Sequence, residues 1–214
     1  MTGKEEMIEQ QLKRRGISNP DVLNAMEKVD RSLFVPQDKQ QKAYEDRPLP
    51  IGKNQTISQP YIVAYMAEQL QLKKDERILE VGTGCGYNSA VISRLAKEVF
   101  SVEIIEWLAK LAKENLAKTD YNNITTKHGD GYSGWKEFSP FDAIILTAAP
   151  PSIPQPLKDQ LKVGGRLLAP VGRLNQQLVM LYKTGEDEFE EKTLLPVRFV
   201  PMTGRADKGG SYGG

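Results

Sequence analysis

The chain has 214 residues, 39% hydrophobic, 27% charged and 7% aromatic, the proportions of one globular unit with a single sizeable core. Its 29 basic and 28 acidic residues leave a formal charge of +1, which gives no general attraction to a polyanion. One cysteine excludes an intrachain disulfide framework; a charged N-terminus and no apolar run near the ~18 residues of a membrane helix predict a soluble cytoplasmic protein.

Residues 1–76 read as an N-terminal extension of short helices, marked by Met7, Ile8 and Leu12 and then by Val22, Leu23 and Met26. The basic clusters Lys13-Arg14-Arg15 and Lys73-Lys74 read as solvated helix ends rather than a nucleic-acid face. AYEDRPLPIGKNQTIS follows as a loop rich in proline, glycine and charge without a regular period. Loops beyond ~12 residues are usually functional or disordered, and the tyrosine, leucine and isoleucine here favour an ordered, functional one. Its end, NQTISQPYIVAYM, sets Gln55, Thr56, Ser58 and Gln59 ahead of a helix whose Ile62, Met66 and Leu70 recur at helical spacing. Pro60 suits the first helical position, so Ser58 or Gln59 reads equally as a helix start.

Residues 77–183 read as the core. RILEVG is a buried strand entering a turn, and NSAVISRLAKE a helix with Ile92, Leu95 and Ala96 inward. VFSVE is a second strand, followed by a helix with Ile105, Leu108, Ala112 and Leu116 on one face. NITTKH and FDAIILTAA are the third and fourth strands, QPLKDQL a short helix, and VGGRLLAPVG the start of a fifth strand. Such alternation predicts an α/β doubly wound, Rossmann-like sheet, mostly parallel, with helices on both faces. Around Gly185-Glu186-Asp187 two strand-like runs leave no room for a helix, so one antiparallel C-terminal hairpin is expected at the sheet's end, with residues 184–214 forming its last strand and a tail, TGRADKGGSYGG, that frays at its glycines. The whole is expected to be one domain.

EVGTGCGYN lies between the first core strand and a helix, the context of a phosphate-binding fingerprint. Its glycines, however, are Gly82, Gly84 and Gly86, and Tyr87 stands where a dinucleotide site would need a third glycine. Strand two ends in Glu103, 21 residues beyond Gly82, where an acid accepts both ribose hydroxyls of an adenosine-type cofactor. After strand three, Asp130 stands between Gly129 and Gly131, and its carboxylate or the neighbouring backbone would meet an adenine amino group. All three features fall at the C-terminal ends of adjacent strands, where open α/β sheets bind ligands. Glu80 reads as a buried acid paired with a donor, Cys85 as a small filler without an activating base, and His128 as structural or solvent-facing. With one histidine and one cysteine, no zinc site of the usual kinds is expected.

These motifs, with FDAIILTAAPPSIPQPLKDQLKVGGRLLAPVG, resemble the class I S-adenosylmethionine-dependent methyltransferases. More narrowly, DRSLFVP, AYEDRPLPIG, QTISQPY and VRFVPMTG resemble the protein-L-isoaspartate (D-aspartate) O-methyltransferase family from about residue 7 to 204. The resemblance implies a repair enzyme that methylates the free α-carboxylate of L-isoaspartyl residues in damaged proteins and peptides, releasing S-adenosylhomocysteine. It puts the active-site serine at Ser58 and the cofactor contacts at Thr56, Ile57, Ser58, Gly82, Thr83, Gly84, Gly86, Glu103, Asp130, Gly131 and Thr203. It implies no metal, no nucleic-acid or membrane partner, and a monomer.

The chemistry suits the residues. A carboxylate with a pKa near ~4 is already ionised at neutral pH, so the acceptor needs no general base, and the near absence of histidine follows. What remains to be supplied is orientation, and a neutral serine hydroxyl can donate to one carboxylate oxygen while the other attacks. YEDRPLPIG, with Asp46 and Arg47, reads as one wall of a peptide groove. The alternatives are a methyltransferase for another acceptor, such as RNA or a small molecule, and a catalytically silent methyltransferase-fold binding protein. A nicotinamide dehydrogenase fits worst, because of the glycine spacing.

Overall fold

The computed structural model describes residues 3–206. The N-terminal extension begins with α1 (Gly3–Glu6), which runs into a π-helical turn, Met7–Leu12, that buries Met7, Ile8 and Leu12. Asn19 caps α2 (Pro20–Lys28), its side chain accepting from the amides of Asp21 and Val22, with Pro20 at the first helical position. The segment expected to be an irregular loop holds a hairpin, β1 (Leu49–Gly52) and β2 (Gln55–Ile57). Its turn residues Lys53 and Asn54 have φ of +52° and +57°, the left-handed pair that a two-residue hairpin turn requires. α3 (Pro60–Leu70) follows and buries Val63, Met66 and Leu70.

The main sheet has seven strands. β3 (Arg77–Val81), β4 (Glu98–Glu103), β5 (Ile124–His128), β6 (Phe141–Leu146) and β7 (Leu161–Val171) are parallel; β8 (Gln176–Lys183) and β9 (Phe189–Val197) complete it in the order β5-β4-β3-β6-β7-β8-β9. The β8–β9 hairpin lies at the sheet's end as expected, and β8 is also antiparallel to β7, so two antiparallel pairings close that edge rather than one. α4 (Tyr87–Ser93) is shorter than its apolar pattern: Leu95 and Ala96 are buried beyond its end, where the chain already turns back and Lys97 donates to the Glu76 carbonyl. α5 (Glu106–Leu116) and α6 (Gln155–Asp159) complete the set. Of the tail, Gly204–Ala206 forms a single 3-10 turn; its expected fraying concerns residues 207–214, outside the described residues.

Alternation along the strands divides the core. Ile78, Val99, Ala143 and Ile145 meet Met66 and Leu70 of α3 and Ile92 of α4 on one face. Leu79, Phe100, Val102 and Ile144 face the other way, against Leu157 of α6 and the rings of Trp135 and Phe138. Here the cover is thin: two 3-10 turns, not a helix, connect β5 to β6, and Phe138 stacks on Phe100 with centroids 4.4 Å apart. Arg166 of β7 fastens α3 to the sheet. Its guanidinium donates to the Leu70 and Gln71 carbonyls (2.5 and 2.9 Å) and forks onto both oxygens of Glu76 (2.8 and 2.7 Å).

Inside the first face lies a charge that the sheet itself must accommodate. Glu80, fully buried in β3, accepts from Asn88 Nδ2 (2.8 Å), Ser101 Oγ (2.6 Å) and Ser89 Oγ. Ser101 Oγ in turn lies 2.6 Å from Thr83 Oγ1, so the chain of hydroxyls ends in the glycine turn. Burial pushes the Glu80 carboxyl up to about 7, against the three donors that pull it down.

Two predictions follow from these contacts. Arg166→Ala strands Glu76 and two helix-end carbonyls and costs about 3 kcal/mol in urea unfolding, whereas Arg166→Lys, unable to fork, recovers only part of it. The native Glu80 carboxyl titrates above its ordinary 4.5, so the unfolded chain loses its proton first and wild-type stability falls between those values as pH rises. Glu80→Gln lacks that term; its melting temperature should gain on the wild type by about 3 °C or more from about pH 5 to about pH 8. A difference independent of pH would contradict the raised carboxyl.

Candidate active site

From β3 the chain winds through α4 and β4 to β5, then returns to place β6 on the other side of β3. Strand order therefore reverses between β3 and β6, and a cleft opens at the C-terminal ends of these strands, about 830 Å³ with the open solvent at its mouth included. Four segments wall it: the glycine turn, the end of β4 with the start of α5, the β2 strand, and residues 200–203 beside Gly131.

The glycine turn owes its shape to backbone conformations that side chains resist. Gly82, Gly84 and Gly86 have φ of +100°, +57° and +91°. Gly82 and Gly84 line the cleft with Thr83, whereas Gly86 lies behind it: it caps α4, and a Cβ there would press Leu116 of α5 at 3.2 Å. Thr147, directly after β6, donates to the Gly82 carbonyl and forms a further wall residue. Tyr87 turns its ring toward the N-terminal extension, edge-on to Phe34 at 5.6 Å and under the Arg31 guanidinium at 4.9 Å. Arg31 is wholly buried and donates Nε to the Ala43 carbonyl at 2.7 Å, so the extension grips the glycine turn through this ring.

Glu103 is the only charged residue on the cleft wall among the described residues. Although 5% exposed, it is matched: one oxygen accepts the Gly84 amide at 2.8 Å, the other the Ile105 amide at 2.9 Å. Each oxygen keeps an unused lone pair, the acceptor set for a vicinal diol. Beyond it Ile104, Ile105 and Leu108 form an apolar slab suited to a flat ring. A cleft whose one charge is negative and which no cation lines disfavours a phosphate ligand and favours a cationic one.

On the facing side Thr56, Ile57 and Ser58 reach the cleft from β2 and its exit. The helix-start reading of Ser58 does not hold: Gln59 occupies the cap position of α3 without a side-chain bond, and the Ser58 hydroxyl has no hydrogen-bond partner among the described residues. Gln59 instead donates to the Asp46 carbonyl (3.1 Å) and carboxylate (2.8 Å), and Arg15 pairs with the same carboxylate at 2.9 Å while lying 3.6 Å over the Tyr61 ring. Asp46 thus fastens the preceding loop to α3, and Arg47 pairs with Glu45 at 2.6 Å. Gly131 and Thr203 line the remaining wall; Asp130 does not. Its carboxylate accepts the amides of Tyr132 (2.9 Å) and Arg205 (3.0 Å) and so holds the C-terminal segment beside the cleft.

Sequence reasoning missed the slab, Thr147 and the Val200–Met202 wall. The two isoleucines directly after the strand-ending acid, and the first hydroxyl after an apolar strand, were the available signals. Cys85 lines the cleft, but burial pushes its thiol up to about 11, so it is a filler and no nucleophile at neutral pH. His128 lies with Nε2 3.1 Å from the Ile104 carbonyl oxygen, away from the wall. No three His, Cys, Asp or Glu side chains gather to hold a metal among the described residues. The diol acceptors, the apolar slab and the single negative charge together fit S-adenosylmethionine, an adenosine carrying a sulfonium.

Comparison with known proteins agrees. The family model described as protein-L-isoaspartate(D-aspartate) O-methyltransferase matches residues 2–207. A protein-L-isoaspartate O-methyltransferase of Picosynechococcus sp. is 50% identical over 203 residues, covering 95% of this chain and 91% of its own, and one of Methanoculleus marisnigri is 52% identical over 203 residues, covering 94% and 92%. Among solved structures, a protein-L-isoaspartate O-methyltransferase superposes with a TM-score of 0.85 at 31% identity, over 95% of this chain and 67% of that one. A Plasmodium falciparum structure in complex with S-adenosyl-L-homocysteine gives 0.82 at 27% identity, over 94% and 98%. The chain belongs to the protein-L-isoaspartate(D-aspartate) O-methyltransferase family and is an S-adenosylmethionine-dependent methyltransferase.

Proposed function

We propose that this chain repairs damaged proteins by methylating the free α-carboxylate of L-isoaspartyl residues, with Ser58 orienting the acceptor and Glu103 holding the donor's ribose. The observation that carries the reading is Ser58, which lines the same cleft as Glu103 and whose hydroxyl has no hydrogen-bond partner among the described residues. S-adenosylmethionine, when bound, supplies an electrophilic methyl group on a sulfonium sulfur.

The residues around it would bind and orient. Glu103 accepts the two ribose hydroxyls with the lone pairs its amide partners leave free. Ile104, Ile105 and Leu108 cover the adenine, and Gly131 and Thr203 close that end; Thr56, Ile57 and the turn at Gly82, Thr83 and Gly84 complete the hold. Gly86 acts by setting the turn against α5, and Asp130 by holding Thr203 in place. Ser58 donates its hydroxyl hydrogen to one oxygen of the isoaspartyl carboxylate and leaves the other free to attack. With no cation on the wall, that carboxylate is not drawn into an ion pair that would blunt it. No residue has to move a proton, because the acceptor is already ionised at neutral pH. The peptide product of this step is a methyl ester, which closes to a succinimide without the enzyme.

The chain works in this reading as one unit: residues 1–76 carry the substrate side, 77–183 hold the cofactor, and 184–214 add the last strand and tail. In this reading the chain acts as a cytoplasmic monomer without a nucleic-acid or membrane partner, and its balanced charge fits the lack of a polyanion.

Labelled S-adenosylmethionine with matched isoaspartyl and aspartyl peptides tests the reading: base-labile label on the isoaspartyl peptide alone is expected, and equal or base-stable labelling overturns it. Ser58→Ala should bind S-adenosylhomocysteine within about twofold of the wild type yet lose on the order of 10²-fold in kcat. Unchanged kcat would remove Ser58 from the reaction.

A further inference from the structure

The β1–β2 hairpin, which carries Thr56 and Ile57 to the cleft, is the wall least able to stand alone, since two strands of four and three residues are not self-supporting. Its inner side is anchored by buried Leu49, Ile51 and Ile57. The chain on either side of it is fastened where Gln59 donates to Asp46. The corner next to the turn is held differently, by Trp107 from the first turn of α5. A Cβ on Gly52 would stand 3.0 and 3.1 Å from two atoms of the indole ring, so the ring approaches the backbone closely, and Gly52 is also left-handed at φ +100°. Lys53 Nζ lies 6.0 Å from the centroid of the same ring.

Trp107 is nevertheless 48% exposed, and it does not line the cleft. It sits between Ile105 and Leu108, which do, and four residues after Glu103. One helical turn therefore presents a ligand-facing slab inward and a hairpin contact outward. A contact that is lateral and half-solvated can part without opening the core, while Leu49, Ile51 and Ile57 keep the base in place.

We infer that Trp107 is a positioning residue, a latch that holds the hairpin corner against α5 and so keeps β2 closed on the nucleoside cofactor and its product. This rests on the proposed function only for the identity of that ligand. The contact with Gly52 explains why the latch is an aromatic ring: a flat surface lies on a backbone without Cβ, and the Lys53 ammonium lies over the ring.

The test compares the full-length wild type, Trp107→Ala and Trp107→Phe. In ligand-free protein, hydrogen exchange of the amides at 49–57 should quicken by about tenfold in the alanine variant while those of α3 keep their rates. Release of S-adenosylhomocysteine in stopped flow should quicken by a similar factor of about ten, with the phenylalanine variant within about threefold of wild type. Hairpin exchange and release both within about twofold of wild type would overturn the latch, as would quickened exchange spread evenly over the chain with a matching drop in melting temperature, which marks a merely structural role. Should the alanine variant not fold, Trp107→Leu, which keeps bulk but loses the flat ring, decides in its place: release and hairpin exchange faster than wild type by about threefold or more, at an unchanged melting temperature, uphold the latch, and smaller changes overturn it. If the wild type fails to bind S-adenosylhomocysteine at all, the proposed function fails, and the exchange comparison still decides the latch.

Discussion

The carboxylate of Glu103 sets the geometry on which the site depends. A buried anion must be matched by donors, and here they are two backbone amides from different segments, Gly84 in the glycine turn and Ile105 at the entry to α5. Because each oxygen takes one amide, the turn and the helix start are held on either side of the end of β4. The turn's position then decides where Tyr87 and α4 begin, and the helix start decides where Ile105, Leu108 and Trp107 point. The same two bonds leave each oxygen a lone pair free at the cleft.

Glu80, one strand away, shows how differently the same residue type behaves when sealed. Its oxygens are enclosed by Asn88, Ser89 and Ser101, and burial raises its carboxyl toward neutrality. It bonds α4 to the sheet and, through Ser101 and Thr83, braces the turn from behind. The two acids divide the work: Glu80 supports the turn from within the core, and Glu103 lines the cleft. That leaves the cleft wall with a single charged residue among the described residues, and its negative sign is favourable to a sulfonium.

The N-terminal extension is part of the cleft rather than an appendage. It reaches the glycine turn through Tyr87, which Phe34 and Arg31 enclose, and the cleft through the hairpin and Ser58. Arg31 also holds the Ala43 carbonyl at the head of the segment that becomes this hairpin. The glycine turn and the hairpin are thus joined by packed rings and one buried guanidinium, not by covalent proximity.

Much of this was legible in the chain. The parallel core announced itself through short apolar strands alternating with helical faces, because burial on both sides of a sheet leaves a local imprint. The glycine turn and Glu103 were legible for a related reason: left-handed backbone and a strand-ending acid are local requirements. The family's signatures pointed to Ser58 but left its hydroxyl between helix start and cleft. Only the tertiary structure put it on the cleft wall, since the cap position went to Gln59. It likewise decided the β1–β2 hairpin, which Pro50, Gly52 and a Lys-Asn turn conceal, because strand pairing at that length is stabilised by what it packs on, here Trp107 and the extension. Asp130 makes the same point. Its place after a strand was evident, but whether its carboxylate met a ligand or the amide of Arg205 depended on a segment 75 residues away. Local periodicity and conformational demand are written in the sequence; which donor an acid finally meets is a property of the folded chain.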